Sequence, residues 1–421
     1  MTRKNRIVTL ALGAGIAATG LIALAGDLNP PAGPVAPTHK TLTEVEPRIA
    51  INAINTPGDA DSLFKITLPG SYYLTGNITG VVGKHGIEIV ASGVTLDLNG
   101  FDLAGVAAMG AFDGVSVTLG GLVNIAVVNG SLRSWGDEDI DLQTLGATNC
   151  RLADLFVRGN TGNGILAGPG STVSNCSAYQ KGGIGISAAD GCTVSHCTVT
   201  SNTGDGIRTA NGCTVSNCSA EGNTGVGIGT ADGCTVSNCS ADGNTGVGIG
   251  LASGCTISNC TATGNGGDGI NTGNGCTVAE CSTRLNAGDG IDVTFGCTVA
   301  GCSTRANTLD GIQCSSQCTI RGNTCSLNGN SGDGAGVHAT STDNSIEGNN
   351  CTGADRGIDV DFAGNIIIRN TCAGNTTDWV IVANNVFGPI IDRRAPASAA
   401  VSGFSAVSSL GSTDANANFS Y

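Results

Sequence analysis

"GCTVSNCSAEGNTGVGIGTAD" spans Gly212–Asp232, and "GCTVSNCSADGNTGVGIGLAS" follows it directly as Gly233–Ser253. Counterparts of this unit begin at Asn149, Gly170, Gly191, Gly254, Gly275, Gly296 and Gln317, always 21 residues apart. A fixed period of this length marks a repeat architecture in which each unit buries its apolar face against its neighbours. In "CTV" the first and third residues share a face, and in "GIG" or "GIR" the central isoleucine packs inward. That two-residue alternation, punctuated by Gly and Asn, predicts short strands separated by tight turns. Three strands and three turns per unit make one coil of a parallel β-helix, with coils stacked at roughly 4.8 Å.

Stacking predicts columns, and the columns are present. Ile165, Ile186, Ile207, Ile228, Ile249, Ile270, Ile291 and Ile312 share one position, each after a glycine. Val173, Val194, Val215, Val236, Ile257, Val278 and Val299 share another. Extending the "G-[IV]" position outward adds Ile87, Val115 and Ile140 before the block and Val337, Ile358 and Val380 after it, giving 14 coils. A left-handed hexapeptide coil would need about 18 residues per turn, and the nonapeptide calcium repeat "GGxGxDxUx" does not occur. The expected fold class is therefore all-β: a single-stranded right-handed parallel β-helix of about 14 coils, capped at both ends.

The 19 cysteines fit the same scheme. Cys192, Cys213, Cys234, Cys255, Cys276, Cys297 and Cys318 form one column, and Cys176, Cys197, Cys218, Cys239, Cys260, Cys281 and Cys302 another. Stacked Cβ vectors run parallel, which suits bridging poorly, so buried thiols are expected. No Cys/His group has zinc-ligand spacing. Asn175, Asn217, Asn238 and Asn259 are expected as an interior ladder at the turn between the second and third strands, with His196 replacing one member. Asn202, Asn223, Asn244, Asn265, Asn286 and Asn307 form a second ladder.

Charged residues make up 12% of the 421-residue chain and the net charge is −14, which argues against a nucleic-acid partner. Residues 1–25 read as a signal peptide or N-terminal anchor: Arg3, Lys4 and Arg6 precede the apolar run Ile7–Ala25, which ends in a small-residue "ALA". A Pro-rich linker covers 26–40, an N-terminal cap with a short helix 41–60, the β-helix 61–388 and a capping tail 389–421. The expected location is extracytoplasmic, and the expected state is a monomer.

"PGSYYLTGNITG" (Pro69–Gly80), "GVTLDLNGFDLAG" (Gly93–Gly105) and the cysteine-bearing repeats resemble the right-handed parallel β-helix, or pectin-lyase-like, superfamily, of the repeat type also found in NosD-like periplasmic proteins. The resemblance covers roughly residues 60 to 390. It implies polysaccharide lyases, glycoside hydrolases, epimerases, adhesins or structural coils, so it specifies fold more narrowly than function. It also implies a cleft on the outside of the "G-[IV]" strands.

The outward residue after each "G-[IV]" gives Asn271, Asp292, Gln313, His338, Asp359 and Ile381 towards the C-terminal end, with Asp268, Asp289 and Asp310 in the preceding turns. Asp292, His338, Asp359 and Arg356 form a candidate catalytic set: carboxylates for proton transfer, a titratable histidine and a guanidinium for a uronate. Asp310 and Gln313 would contact substrate. Asp268, Asp289 and Asp292 offer oxygen ligands for Ca²⁺, though no cofactor is required. Equally, "GDGI" is a good turn-to-strand sequence in its own right. Arg158 stacked on Tyr179, with Lys181 two residues on, is a second candidate surface for an acidic sugar.

The polygalacturonase-type motifs "NTD", "DD", "GHG" and "RIK" are absent. Lengthened turns at "LAGVAAMGAF" (Leu103–Phe112), "SLRSWGDED" (Ser131–Asp139) and "SLNGNSGDGAG" (Ser326–Gly336) could wall a binding face. Three readings follow: a protein binding an extended polymer, such as a cell-surface polysaccharide; an enzyme acting on one; and a bare scaffold or adhesin.

Overall fold

A computed structural model of the chain describes residues 47–329, 332–393, 399–402, 404–407 and 413–421. The signal-peptide and linker expectations fall on 1–46, outside the described residues. Among the described residues no helix is long and apolar enough to cross a membrane, and every regular element is a β-strand. Arg48–Tyr421 forms one compact unit.

The strands stack as the period requires, in a right-handed parallel β-helix, the hand that the twist of parallel crossovers favours. The isoleucine column is a 15-stranded parallel sheet. The valine column and the third column form a 30-stranded sheet, merged where Ala126–Arg133 and Arg151–Arg158 run through both columns without a turn. Register within the regular block is strict: Ile228 pairs with Ile249, Val215 with Val236 and Ala220 with Ala241. All of these side chains are fully buried. Each buried isoleucine contributes about 1.5–3 kcal/mol, and repetition multiplies that contribution along the stack.

The isoleucine column exceeds the expected 14 coils because it begins at Ser62–Ile66, where Phe64 pairs with Ile87. No "G-[IV]" signature marks that strand. At the far end Ile358 pairs with Trp379, not with Val380. The 21-residue spacing holds there, but an indole replaces the aliphatic side chain. Val380 therefore points outward in the place expected for Ile381, and Ile381 is 2% exposed.

Both ends are closed by strands. The described part of the N-terminal cap, 47–60, contains the strand Ile49–Ala50, paired with Gly70–Tyr73, and a turn; the expected helix is not there. Asn52 Oδ1 holds the turn by accepting the amides of Ile54 and Asn55, both at 2.9 Å. At the C-terminus Asn418–Ser420 inserts between Thr371–Ala373 and Ile390–Asp392, parallel to both. Ser402 bridges Val380 at the edge of the isoleucine sheet. These contacts cover edges that would otherwise template association.

Turns are tied by side chains that reach from one coil to the next. Asn244 Oδ1 accepts the amide N–H of Asn223 at 3.0 Å and its Nδ2–H at 2.9 Å. Asn244 Nδ2 in turn donates to Ala220 O at 3.2 Å and Asn265 Oδ1 at 3.0 Å. The ladder and the next coil's backbone leave no room here: a Cβ on Gly227 would lie 2.6 Å from both Asn244 Nδ2 and Gly248 O, and one on Gly164 would lie 2.4 Å from Gly185 O, which explains the glycines before the stacked isoleucines.

The cysteines of both columns are buried and unbridged, as expected. They also do what the asparagines do. Cys234 Sγ accepts the Cys213 amide at 3.3 Å and donates to Ala210 O at 3.1 Å. Where a cysteine column stops, asparagine takes over its bond: Cys302 N–H donates to Asn323 Oδ1, and Cys318 N–H to Asn344 Oδ1, both at 2.8 Å.

Asn175, Asn217, Asn238 and Asn259, expected inside, are exposed residues in the left-handed region, all with φ of 54°. Asparagine tolerates that conformation, and the neighbouring cysteine supplies the interior hydrogen bonds. His196 has φ 55° and is likewise exposed, so it is not a ladder member.

This equivalence predicts that Cys302→Asn keeps the inter-coil bonds and lowers the melting temperature less than Cys302→Ala does. Thermal denaturation followed by circular dichroism compares the two.

Candidate functional site

The outward polar column exists, and much of it is engaged in holding turns. Asp268 Oδ1 accepts the Asp289 amide at 2.8 Å, Asp289 Oδ1 accepts the Asp310 amide at 2.7 Å, and Asp310 Oδ1 accepts the Ala335 amide at 2.6 Å. One oxygen of each carboxylate thus repeats the ladder device at the surface. The second oxygens of Asp268 and Asp310 face side chains. Asn271 Nδ2 bridges Asp268 Oδ2 and Asp292 Oδ2 at 3.0 Å each, and Gln313 Nε2 donates to Asp292 Oδ1 at 3.2 Å.

Burial, with the charges of Asp310 and Asp268, pushes the Asp289 carboxyl up to about 7, and burial also raises Asp292. Among the described residues Asp268, Asp289 and Asp292 are not one of the groups whose ligand atoms converge within 4.8 Å.

His338, Asp359 and Arg356 do converge. His338 lies on Ala335–Ala339 and pairs in register with Asp359 on Arg356–Val360. Its Nδ1 meets Asp310 Oδ2 at 2.8 Å, and its Nε2 meets Asp361 Oδ2 at 3.1 Å and Asp359 Oδ2 at 3.9 Å. Arg356 pairs with Asp359 and with Asp333 of the lengthened turn. Gly332 N–H in that turn donates to Asp355 Oδ2 at 2.8 Å.

Burial works against protonating His338, but the hydrogen bond to Asp310 and the surrounding carboxylates outweigh it and hold the ring at about 9. Asp359 is raised by burial, with Arg356 opposing. Asp292 stands apart from this cluster: its register runs to Gln313 and only then to His338, two strand spacings or about 10 Å away. Asp361 follows the strand at a position that recurs in each coil, as Thr340 and Val382 do, but its equivalents in the regular block include the small residues Ala189, Ala210, Ala231 and Ala252, so that column does not advertise a carboxylate.

The second candidate surface is a recess of about 400 Å³ on the outside of the third column. Ser131, Phe156 and Ser177 stack in one row, and Arg133, Arg158 and Tyr179 in the next. Phe156 is 64% and Tyr179 41% exposed. Asp102 Oδ2 occupies Arg133 at 2.8 Å. Arg158 has no ion pair among the described residues. The meeting of Arg133 with Arg158 is hidden from the 21-residue count because the two are 25 residues apart; Phe156 stands one period before Ser177, and no repeated motif marks it.

Lys181 does not belong to this surface. It occupies a ladder position, its amide bonded to Asn202 Oδ1 at 3.0 Å, and its side chain runs inward to Asp139. Both side chains are fully buried. Removing either partner of such a pair costs about 3–5 kcal/mol.

With this geometry in view, the chain matches the family model described as "right handed beta helix region" over residues 140–256 and 230–373. The chain belongs to that family. No curated protein sequence matches it.

Among solved structures it is similar to the A-module of a mannuronan C-5 epimerase from Azotobacter vinelandii, at 16% identity and a TM-score of 0.49, covering 72% of this chain and 91% of that one. It is also similar to a periplasmic alginate epimerase, at 12% identity and a TM-score of 0.39, covering 77% and 82%. A tailspike protein of an E. coli bacteriophage, solved with a pentasaccharide, gives 13% identity and a TM-score of 0.34, covering 85% and 71%. At these scores the likenesses add nothing to the family assignment.

The raised Asp289 carboxyl makes a pH prediction. Between the unfolded value near 4 and the folded value of about 7 the native state binds the extra proton, so its contribution to stability falls as pH rises through that window. Asp289→Asn keeps an acceptor for the Asp310 amide and removes the titration. The loss of stability from pH 4.5 to 7.5 should be smaller in the variant than in the parent, measured by urea denaturation at both pH values.

Proposed function

We propose that this chain is an exported β-helix protein that binds an extended polymer, an acidic polysaccharide, along its outer face. The observation that carries this reading is the recess at Phe156, Arg158 and Tyr179. Apolar ring faces suit the C–H surfaces of sugars, and an uncommitted guanidinium suits a carboxylate, which it can grip with two parallel hydrogen bonds. Ser131 and Ser177 add hydroxyls at the rim. With Arg133 paired to Asp102, Arg158 leaves the recess lining one net positive charge on a chain whose net charge is −14. An extracytoplasmic location and a monomeric state go with this reading. Calcium is not required at the recess.

In binding assays by isothermal titration calorimetry, uronate-containing oligosaccharides should bind and neutral ones should bind more weakly. Arg158→Ala should reduce affinity about 10-fold or more, in keeping with a hydrogen bond to a charged group. Equal affinity for the two classes, or no change in the variant, would sink the proposal.

The convergence of His338, Asp359 and Arg356 favours a second reading, a lyase, hydrolase or epimerase acting at that cluster. Against it, both ring nitrogens of His338 are committed to carboxylates, which leaves the ring poorly placed to abstract a proton. Mass spectrometry of acidic polysaccharides after incubation with the protein decides: products that vanish in an Asp359→Asn variant belong to the enzyme reading, and unchanged chains belong to binding.

A further inference from the structure

The His338 cluster contains a group whose chemistry the glycan reading does not use. His338, Asp359 and Asp361 bring one ligand atom each to within 4.8 Å of one another. The imidazole is already held as a metal-bound imidazole is held. Asp310 Oδ2 sits 2.8 Å from Nδ1, while Nε2 faces Asp361 Oδ2 at 3.1 Å and Asp359 Oδ2 at 3.9 Å. A carboxylate on one ring nitrogen fixes the tautomer that leaves the other nitrogen as a ligand.

A separate observation concerns Asp359. It is only 1% exposed; Arg356 pairs with its Oδ2, the oxygen that faces His338, while its Oδ1 has no hydrogen-bond donor. A buried oxygen in that state leaves part of the desolvation cost uncompensated.

The other two carboxylate groups with converging atoms have cations or donors of their own. Asp59 and Glu88 share Lys65 at 2.7 and 2.9 Å, an ion pair that neutralises Glu88 although its Oε2 also lacks a hydrogen-bond partner. Asp113 has His85 at 3.4 Å, and Glu138 accepts from Asn163 at 2.9 Å.

We propose that His338, Asp359 and Asp361 bind a first-row divalent cation of the zinc type, with Asp310 as the outer carboxylate that orients the imidazole. One imidazole nitrogen and two carboxylate oxygens form a mixed donor set that zinc and its neighbours accept, with a fourth position left to water. Calcium prefers six or more oxygens and is disfavoured by this set. Asp361 is 47% exposed, which opens the cluster to solvent. Charge agrees: Asp310, Asp359 and Asp361 face His338, Asp333 and Asp359 face Arg356, and among the described residues Arg356 is the one permanent cation in these ion pairs. The site is independent of the Arg158 recess and stands or falls without it.

The test uses the full chain with its thiols kept reduced, titrated with Co²⁺ as a spectroscopic probe. The expected result is one Co²⁺ per chain, d–d absorption without a sulfur-to-cobalt charge-transfer band, displacement by Zn²⁺ and none by equimolar Ca²⁺. Asp361→Asn, an exposed position whose change should leave the fold intact by circular dichroism, should weaken binding at least 10-fold. His338→Gln should do the same, and Asp310→Asn should weaken it by a smaller factor. Three results would overturn the proposal: no saturable binding, a sulfur charge-transfer band that moves the metal to the cysteine columns, or unchanged affinity in a folded Asp361→Asn variant.

Discussion

Everything in this molecule hangs on a side chain at each turn reaching across one strand spacing to the backbone of the neighbouring coil. Parallel stacking satisfies the strand amides, but the turns bend the backbone inward and leave donors that water cannot reach. Buried donors of this kind must be paired. Asparagine meets the need with an acceptor and a donor on one short side chain, as Asn223, Asn244 and Asn265 do in sequence. A thiol meets it with weaker bonds and a more apolar body. The handover from Cys302 to Asn323 and from Cys318 to Asn344 shows that the two residues fill one structural role.

The same constraint separates inside from outside. In the interior, ladder positions accept whatever can reach backbone, and Lys181 is tolerated there only because Asp139 neutralises it. On the surface, Asp268, Asp289 and Asp310 apply the ladder device with one oxygen and leave the second for other contacts. Recognition and scaffold therefore share residues. The surface over the near-identical coils from Gly212 to Ser253 carries little beyond short polar side chains. Distinctive chemistry appears where the repeat is broken: at Ser131–Asp139 near the recess, and at Ser326–Gly336 beside His338.

Most of the fold was legible because a 21-residue period and a two-residue alternation admit one arrangement, and each inward residue recurs at a countable position. Departures came where identity and position disagreed. Val380 looks like the next member of the isoleucine column, yet the count falls on Trp379. Asn175 and its equivalents look like an interior ladder, yet their left-handed backbone turns them outward. Lys181 looks like a surface cation, yet it stands one period before Asn202 and so lies inside.

The amino-acid sequence by itself determined the coil, its register, the buried columns and the belt of acidic turns, because each depends on local pattern repeated at fixed spacing. Only the tertiary structure decided which outward residues meet. Ser131 and Arg133 meet Phe156 and Arg158 across a coil of 25 residues, and Asp333 of the lengthened turn reaches Arg356. Such meetings depend on how irregular turns place the chain in space, and irregular turns carry no period from which to count.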